Sequence, residues 1–319
     1  MNCCGRKIAE GAWFFVVAAI SLSWSQNPGV RKEAAKRESM TSQCVGRFQF
    51  HLDGELVVTS RRQRIYNVDV STVPMPAKGA AVGWEQHLEE IKSPLSGPPP
   101  VIHRTFNLEP GVPAVWYSID STASSTVTLE AAKSRGDHLF RIVRLAAAGK
   151  EAIAETLVRN IMNAYVPQAT SYGFCVGFGS IVMEPAQVES TAITLADREG
   201  NGVEARVETE EVAQPDSSAY SDLSEEKDFA ESTGSTLTVL AERDRTVAGM
   251  AGKEFRISVA PPGEPTLLRF TWHFEGVAAD ATKPKIDIMG AANAPQRARL
   301  EAAWETLLGS LHPLPVQGK

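Results

Sequence analysis

The sequence lacks an excess of basic charge and a long apolar run. Its 319 residues carry a formal net charge of −6 and a sequence pI near 5.6. A polyanion therefore finds no overall basic surface, and nucleic acid is not an expected partner. A membrane-spanning helix needs about 20 apolar residues. The apolar stretch at residues 11–24 is too short, and no other segment is expected to cross a bilayer.

Motifs of familiar catalytic and metal sites are also missing. No Gly-x-Ser-x-Gly, Cys-x-x-Cys or His-Glu-x-x-His sequence occurs, which argues against a serine hydrolase and two common metal motifs. The six histidines are scattered along the chain. His51 and His273 alternate with apolar strand residues, so both are predicted to face solvent. We therefore predict no catalytic residue, no metal ligand and no cofactor.

The N-terminus resembles an export signal. Arg6 and Lys7 precede the apolar stretch 11–24, and small residues follow near a possible cleavage point. This pattern predicts a signal peptide-like leader at residues 1–25 and a polar linker at 26–40. Both N-terminal cysteines precede the apolar stretch, where a lipoprotein signal would not place them, so a lipid anchor is not supported. An uncleaved, disordered tail is the alternative.

Only two cysteines, Cys44 and Cys175, lie beyond the leader. Each opens a Cys-Val-Gly triplet at the start of a β pattern, one in each half of the chain. If the protein is exported, two cysteines in an oxidising compartment are usually paired. The bridge would close a loop of more than a hundred residues and contribute about 4–5 kcal/mol. Two buried free thiols are the alternative.

Periodicity predicts a mixture of strands and helices. Residues 44–52 and 267–274 alternate between apolar and polar side chains, which is typical of half-buried strands. In residues 151–165, Ile153, Leu157, Ile161 and Tyr165 are four apart. Val158 and Met162 widen this apolar stripe, which predicts a helix with one buried face. A second such stripe, residues 300–311, predicts a helix near the C-terminus.

The same order of elements recurs in both halves. Each half combines a mainly antiparallel sheet with one or two packed helices, so we predict an α+β fold of two lobes around a cleft. The predicted domains are 41–167 and 168–316.

Negative charge is concentrated in one part of the chain. Residues 197–231 contain twelve acids and three bases, hence −9, against +3 for the remainder. The surroundings are hydrophilic, so nothing is expected to raise a carboxyl pKa for acid–base catalysis. A solvated acidic face, a docking loop for a basic patch on a protein partner, and a metal site are the alternatives. The partner-binding candidates are Glu208, Glu210, Glu211, Asp216, Asp222, Glu225, Glu226, Asp228 and Glu231.

A set of ordered motifs resembles a known family. The opening residues 44–48 and the Gly-Phe-Cys at 173–175 are followed by residues 247–254, 283–290 and 300–311. In this order they resemble the lipase immunity proteins of the type VI secretion system, with an N-terminal and a C-terminal immunity domain. The resemblance covers about residues 44–315.

The resemblance implies a periplasmic protein without catalytic activity, which binds and inhibits a cognate antibacterial phospholipase effector. It implies a protein partner and no small-molecule substrate, with the membrane only as the place where the toxin acts. It does not transfer contact residues, because immunity proteins match divergent toxins. The alternatives are an envelope module that binds a peptide, polysaccharide or lipid without a toxin partner, and a hydrolase with an unrecognised site.

Overall fold

The computed structural model describes residues 41–52, 56–95, 97–119, 125–167, 172–185, 188–198, 202–212 and 223–315. The predicted leader and linker lie outside the described residues. The helices are α1 Ala80–Lys92, α2 Glu151–Ala164, α3 Ser224–Ser232 and α4 Arg297–Ser310, with a 3-10 turn at Ala294–Gln296. The strands are β1 Thr41–Val45, β2 Phe48–Leu52, β3 Leu56–Ile65, β4 Val68–Pro74, β5 Val101–Glu109, β6 Val112–Ser118, β7 Thr126–Arg135, β8 His138–Ala147, β9 Tyr165–Pro167, β10 Phe174–Val176, β11 Gly179–Ile181, β12 Glu189–Asp197, β13 Glu204–Glu210, β14 Thr236–Val247, β15 Met250–Ala260, β16 Leu267–Phe274, β17 Lys285–Asn293 and β18 His312–Pro313.

Strands from both halves form one sheet of twelve strands. Its order is β14-β15-β16-β17-β13-β12-β3-β4-β8-β7-β6-β5, and neighbouring strands pair antiparallel. The halves meet where β3 pairs with β12, from Ile65 opposite Glu189 to Leu56 opposite Asp197. The predicted α+β class with mainly antiparallel sheet is confirmed. The division into domains 41–167 and 168–316 stays a prediction.

Each half sends its opening segment into the core of the other half. Phe48, Phe50 and Leu52 of β2 pack with the C-terminal strands and α4. In return, Phe174 and Ile181, from β10 and β11, pack with the N-terminal strands and α2. Two three-stranded sheets result, β1-β2-β18 and β10-β11-β9.

Both large cores lie on the same face of the sheet. Strand β12 buries every second residue. Ile193 and Leu195 belong to the core under α4, and Glu189, on the same face, pairs with Ile65 of the core under α2. On the opposite face, α1 packs through Trp84 over β6 and β7, while the segment containing α3 packs over β15.

The middle of that opposite face lies between α1 and α3. We call it the open face and define it by the half-buried side chains that alternate with the core residues of the central strands. They include Thr194 of β12, Arg206 and Glu208 of β13, Thr271 of β16 and Met289 of β17. No described helix packs a hydrophobic core over these residues.

The helices follow their predicted positions closely. Helix α4 buries Leu300, Trp304, Leu307 and Leu308, as predicted. Helix α2 also forms, but Ile153, predicted to begin its buried stripe, is 66% exposed. Val158, Ile161 and Met162 of the predicted stripe are buried, and Ala154 takes the place of Ile153 at its start. Among the described residues, no helix is long and apolar enough to span a bilayer.

Candidate functional site

A disulfide joins the two exchanged segments. Cys44 of β1 and Cys175 of β10 have Cα atoms 6.0 Å apart across a sequence separation of 131. The Cys175 N–H donates to the Gly46 carbonyl at 2.7 Å, and the Gln63 side chain of β3 donates to the Cys175 carbonyl. The predicted disulfide is therefore present, and it fastens both small sheets against the middle of the large one.

The glycine of each Cys-Val-Gly triplet is required by backbone geometry. Gly46 and Gly177 have φ of +57° and +50°, a left-handed conformation that side chains disfavour. A Cβ at Gly46 would lie 3.1 Å from Thr209 Oγ1. The repeated triplet thus marks two tight left-handed turns, each directly after a disulfide-bonded strand.

A buried ion pair lies beside the disulfide. Arg47 donates from Nε and Nη2 to the two carboxylate oxygens of Glu189, at 2.8 and 2.7 Å. Their side chains are 5% and 7% exposed. Arg47 follows β1, and Glu189 begins β12. The pair therefore adds a second connection between the N-terminal segment and the middle of the sheet.

The structure separates the acidic candidates into three places. Glu208 and Glu210 lie on the open face of β13. Glu211 lines a small pocket on the opposite face with Arg47 and Glu189. Burial, and then the charge of Glu189, raises the pKa of Glu211.

The remaining acids are on or before α3. Glu226, Asp228 and Glu231 lie on this helix. Asp216, Asp222 and the side chain of Glu225 are outside the described residues. The described acidic candidates therefore lie mainly on a strand and a helix and not on one continuous loop. Their role in partner binding stays a prediction.

Charges on the open face are matched within the protein. Arg206 donates from Nη2 to Glu208. His273 Nδ1 lies 2.5 Å from Asp287 Oδ1 on the adjoining strand. The prediction that His273 faces solvent is wrong, since this residue is 4% exposed. The sequence concealed the cause, because Asp287 becomes its neighbour only through the pairing of β16 with β17.

A second charged cluster fixes α1 to the sheet. His87 Nε2 lies 2.5 Å from Glu130 Oε2, and Tyr117 donates its hydroxyl to Glu130 Oε1 at 2.6 Å. Burial raises the pKa of Glu130, but hydrogen bonds from His87 and Tyr117 outweigh it, so the pKa lies below its usual range. Each carboxylate in this cluster contacts a basic or hydroxyl group, so we interpret the cluster as one that holds α1 on the sheet.

A third cluster connects α4 to the far end of the sheet. Glu254 of β15 is fully buried. It accepts hydrogen bonds from Arg243, Arg245, Arg256 and the Trp304 indole, at 2.6 to 3.2 Å.

Electrostatics explain why a carboxylate is stable there. Burial raises the pKa of Glu254, but the bonds from Arg243, Trp304, Arg256 and Arg245 lower it further, to about 2. This network could not be recognised from the sequence, in which the alternating charges of residues 242–245 are the one local signal of it.

Chemically, these clusters hold elements together and leave no activated group. Within the described ranges, no three His, Cys, Asp or Glu side chains are placed to hold a metal ion. A macromolecular partner could contact the exposed acids of the described chain or the edges of the large sheet.

Comparison with known proteins agrees with this structure. Residues 167–315 match the family model described as the Tle cognate immunity protein 4 C-terminal domain. No curated protein matches the chain.

Solved immunity proteins share the fold over almost their whole length. The immunity protein TplEi of the type VI secretion system of Pseudomonas aeruginosa, in its apo form, has a TM-score of 0.69 at 16% identity, covering 87% of this chain and 98% of its own. A chain of the Tle4–Tli4 complex has a TM-score of 0.71 at 16% identity, and the match covers 89% of this chain and 100% of that chain. TplEi of Pseudomonas aeruginosa complexed with an "L" peptide has a TM-score of 0.67 at 16% identity, and the match covers 88% of this chain and 100% of that chain. Residues 167–315 are therefore similar to the C-terminal domain of the Tle cognate immunity protein 4 family, and the chain shares the fold of the solved type VI secretion immunity proteins.

Proposed function

We propose that this chain is a non-catalytic immunity protein that binds and inhibits a cognate lipase effector of the type VI secretion system in the periplasm. The observation that carries the proposal is the family match over residues 167–315, together with a fold that spans 98–100% of the solved immunity proteins. One of those structures is a complex of Tle4 with Tli4.

The architecture suits an inhibitor that acts by binding. The disulfide and the buried Arg47–Glu189 pair hold the exchanged segments in one arrangement. A binding surface that is already ordered loses less conformational entropy on association, so more of the contact energy appears as affinity. A lipase must expose an apolar entrance to its substrate, and a rigid protein that covers this entrance or its mobile lid stops turnover.

The acidic side chains contribute a testable part of the proposal. Glu210, Glu226, Asp228 and Glu231 would steer a basic surface of the effector toward the protein. Glu208 would contribute less, because Arg206 already neutralises it. We expect association to slow as salt rises, because interactions between exposed charges are screened over about 8 Å at physiological ionic strength. The dissociation rate should change much less.

The central experiment uses a candidate effector, which is sought as a lipase gene next to this one. We expect the purified chain and that lipase to elute together and to form a complex measurable by calorimetry. Hydrolysis of phospholipid vesicles by the lipase should stop at a stoichiometric ratio of the two proteins. The matched control is an unrelated lipase of the same assay activity, which should be unaffected. Undiminished hydrolysis and no complex would refute the proposal.

Location is tested separately in cells. Fractionation should place the full chain in the periplasm and a variant without residues 1–25 in the cytoplasm. Only the exported form should protect cells against a lipase directed to the periplasm. Equal protection by both forms would contradict the proposed location and leave the inhibitory role intact.

A further inference from the structure

Strand β14 ends the twelve-stranded sheet with one long edge. It pairs with β15, and among the described residues it has no partner on its other side. A register shift interrupts the pairing between Val239 and Ala241, after which it is regular as far as Val247 opposite Met250. Strand β5, at the other end of the sheet, has two such shifts. The longer regular edge therefore belongs to β14.

One hydrogen bond shows which way the backbone groups of β14 point. The buried Trp272 of β16 donates its indole N–H to the Arg245 carbonyl at 3.0 Å, so this carbonyl points into the sheet. Along an extended strand, N–H and C=O groups alternate in direction from one residue to the next. Glu242, Asp244 and Thr246 therefore direct their N–H and C=O groups toward the free edge.

Side-chain charge along the same edge differs between the two faces. Arg243 and Arg245 lie on the α4 face, where they bind Glu254 and Glu305. Glu242 and Asp244 alternate with them and lie on the α3 face, and both are exposed. Lys253 of β15 lies 4.0 Å from Glu242 and opposite Asp244, so two carboxylates face one ammonium group and negative charge is in excess. Any strand added here would meet positive charge on one face and negative charge on the other.

The arginine cluster keeps a surplus of positive charge. Three guanidinium groups, of Arg243, Arg245 and Arg256, face two carboxylates, of Glu254 and Glu305. The side chain of Arg243 is 52% exposed, and its Nη2 is 4.0 Å from Glu305. A further carboxylate would therefore be attracted to Arg243.

We propose that the free edge of β14, from Glu242 to Val247, docks an extended segment of the lipase effector by β-strand addition. The docked segment carries acidic side chains toward α4 and basic side chains toward α3. Backbone hydrogen bonds supply affinity in this mode, and directly opposed side chains supply register and specificity. The inference rests on the proposed function, since it takes the effector as the partner.

A second copy of this chain fits the edge poorly. In an antiparallel pair with a two-fold axis at Asp244, this residue faces itself and Arg243 faces Arg245 of the other copy. An axis at Arg243 places Arg243 against itself and Glu242 against Asp244. Directly opposed like charges are destabilising, so the charge pattern disfavours self-pairing through this run and favours a partner with the complementary pattern.

The test replaces the outward N–H of Asp244. Asp244→Pro removes this donor, and proline is tolerated at an edge strand where the N–H points away from the sheet. Asp244→Ala keeps the N–H and is the matched control. In calorimetry with the lipase that the unmodified chain binds, we expect Asp244→Pro to weaken binding at least tenfold and Asp244→Ala at most about threefold. Hydrogen exchange of residues 236–247 should slow when the lipase binds.

Several results would overturn the inference. It is wrong if Asp244→Pro, folded by circular dichroism, binds as the unmodified chain does, or if exchange at 236–247 is unchanged in the complex. It is also wrong if sedimentation shows a dimer of the unmodified chain that Asp244→Pro abolishes. If Asp244→Pro does not fold, the double variant Glu242→Lys with Asp244→Lys replaces it, and we expect at least fivefold weaker binding at low salt. Failure of the unmodified chain to bind would instead refute the proposed function.

Discussion

The indole N–H of Trp304 on α4 donates a hydrogen bond of 2.8 Å to Oε1 of Glu254 on β15. The two residues are 2% and 0% exposed. The bond connects the last helix to the strand beside the sheet edge, and it links a large apolar side chain to a buried charge.

Trp304→Phe should lower the free energy of unfolding by about 1.5–3 kcal/mol, because a hydrogen bond to a buried charged group is lost. Urea unfolding measures the change. Trp84→Phe is the control, since Trp84 is also buried and packs on the sheet without a side-chain hydrogen bond to any described residue. An equal loss in both variants would show that ring size matters and that the bond to Glu254 does not.

Glu254 should make stability depend on pH in the acid range. The pKa of Glu254 is lowered from its ordinary value of 4.5 to about 2 in the folded protein. A lowered folded-state pKa stabilises the native state fully above the unfolded pKa, and this stability is lost as pH falls through the folded pKa. We expect a loss of about 3 kcal/mol between pH 5 and 2 from this residue.

The measurement compares the unmodified chain with Glu254→Gln across that range. The variant should be less stable at pH 7 by about 3–5 kcal/mol, because three arginines lose a buried counter-charge. It should also lose less stability as the pH falls. Parallel pH profiles of the two proteins would contradict the assignment.

Removing the disulfide should destabilise the protein without unfolding the sheet. Replacing Cys44 and Cys175 together by serine is expected to cost about 2–5 kcal/mol, since the unfolded chain gains the freedom of a long loop. Thermal and urea unfolding of the variant should coincide with those of the unmodified chain in strong reductant. A reductant effect that persists in the double variant would place the cause elsewhere.

Arg47 and Glu189 should show strong coupling in a double-mutant cycle. Arg47→Met or Glu189→Gln alone leaves one buried charge without its partner and should cost about 3–5 kcal/mol. The two changes together should cost clearly less than the sum. Strictly additive losses would mean that the pair contributes nothing beyond packing.

Local features of the fold could be predicted from the sequence. The four-residue spacing of α4 and the alternation of residues 267–274 gave correct elements. The export-type pattern at the N-terminus, together with the two cysteines beyond it, predicted the disulfide between Cys44 and Cys175. Ile153 shows the limit of periodicity. The sequence of α2 allows the buried face to begin at Ile153 or at Ala154, and packing of the helix against β7 and β8 decides for Ala154.

Relationships between distant residues could not be predicted. The pairing of β3 with β12 brings together residues more than a hundred positions apart, and alternation says nothing about which strands become neighbours. The burial of His273 beside Asp287 and the arginine contacts of Glu254 depend on such pairings. The edge of β14 likewise becomes visible only when the strand order is known.

The exchange of opening segments determines when the chain can finish folding. Strand β2, near the beginning of the described chain, pairs with β18 and packs against α4, near its end. The core under α4 therefore cannot close until α4 and β18 have emerged from the ribosome. Long-range contacts of this kind slow folding. Partly emerged chains would expose Phe48 and Phe50, which makes early protection by a chaperone valuable to this architecture.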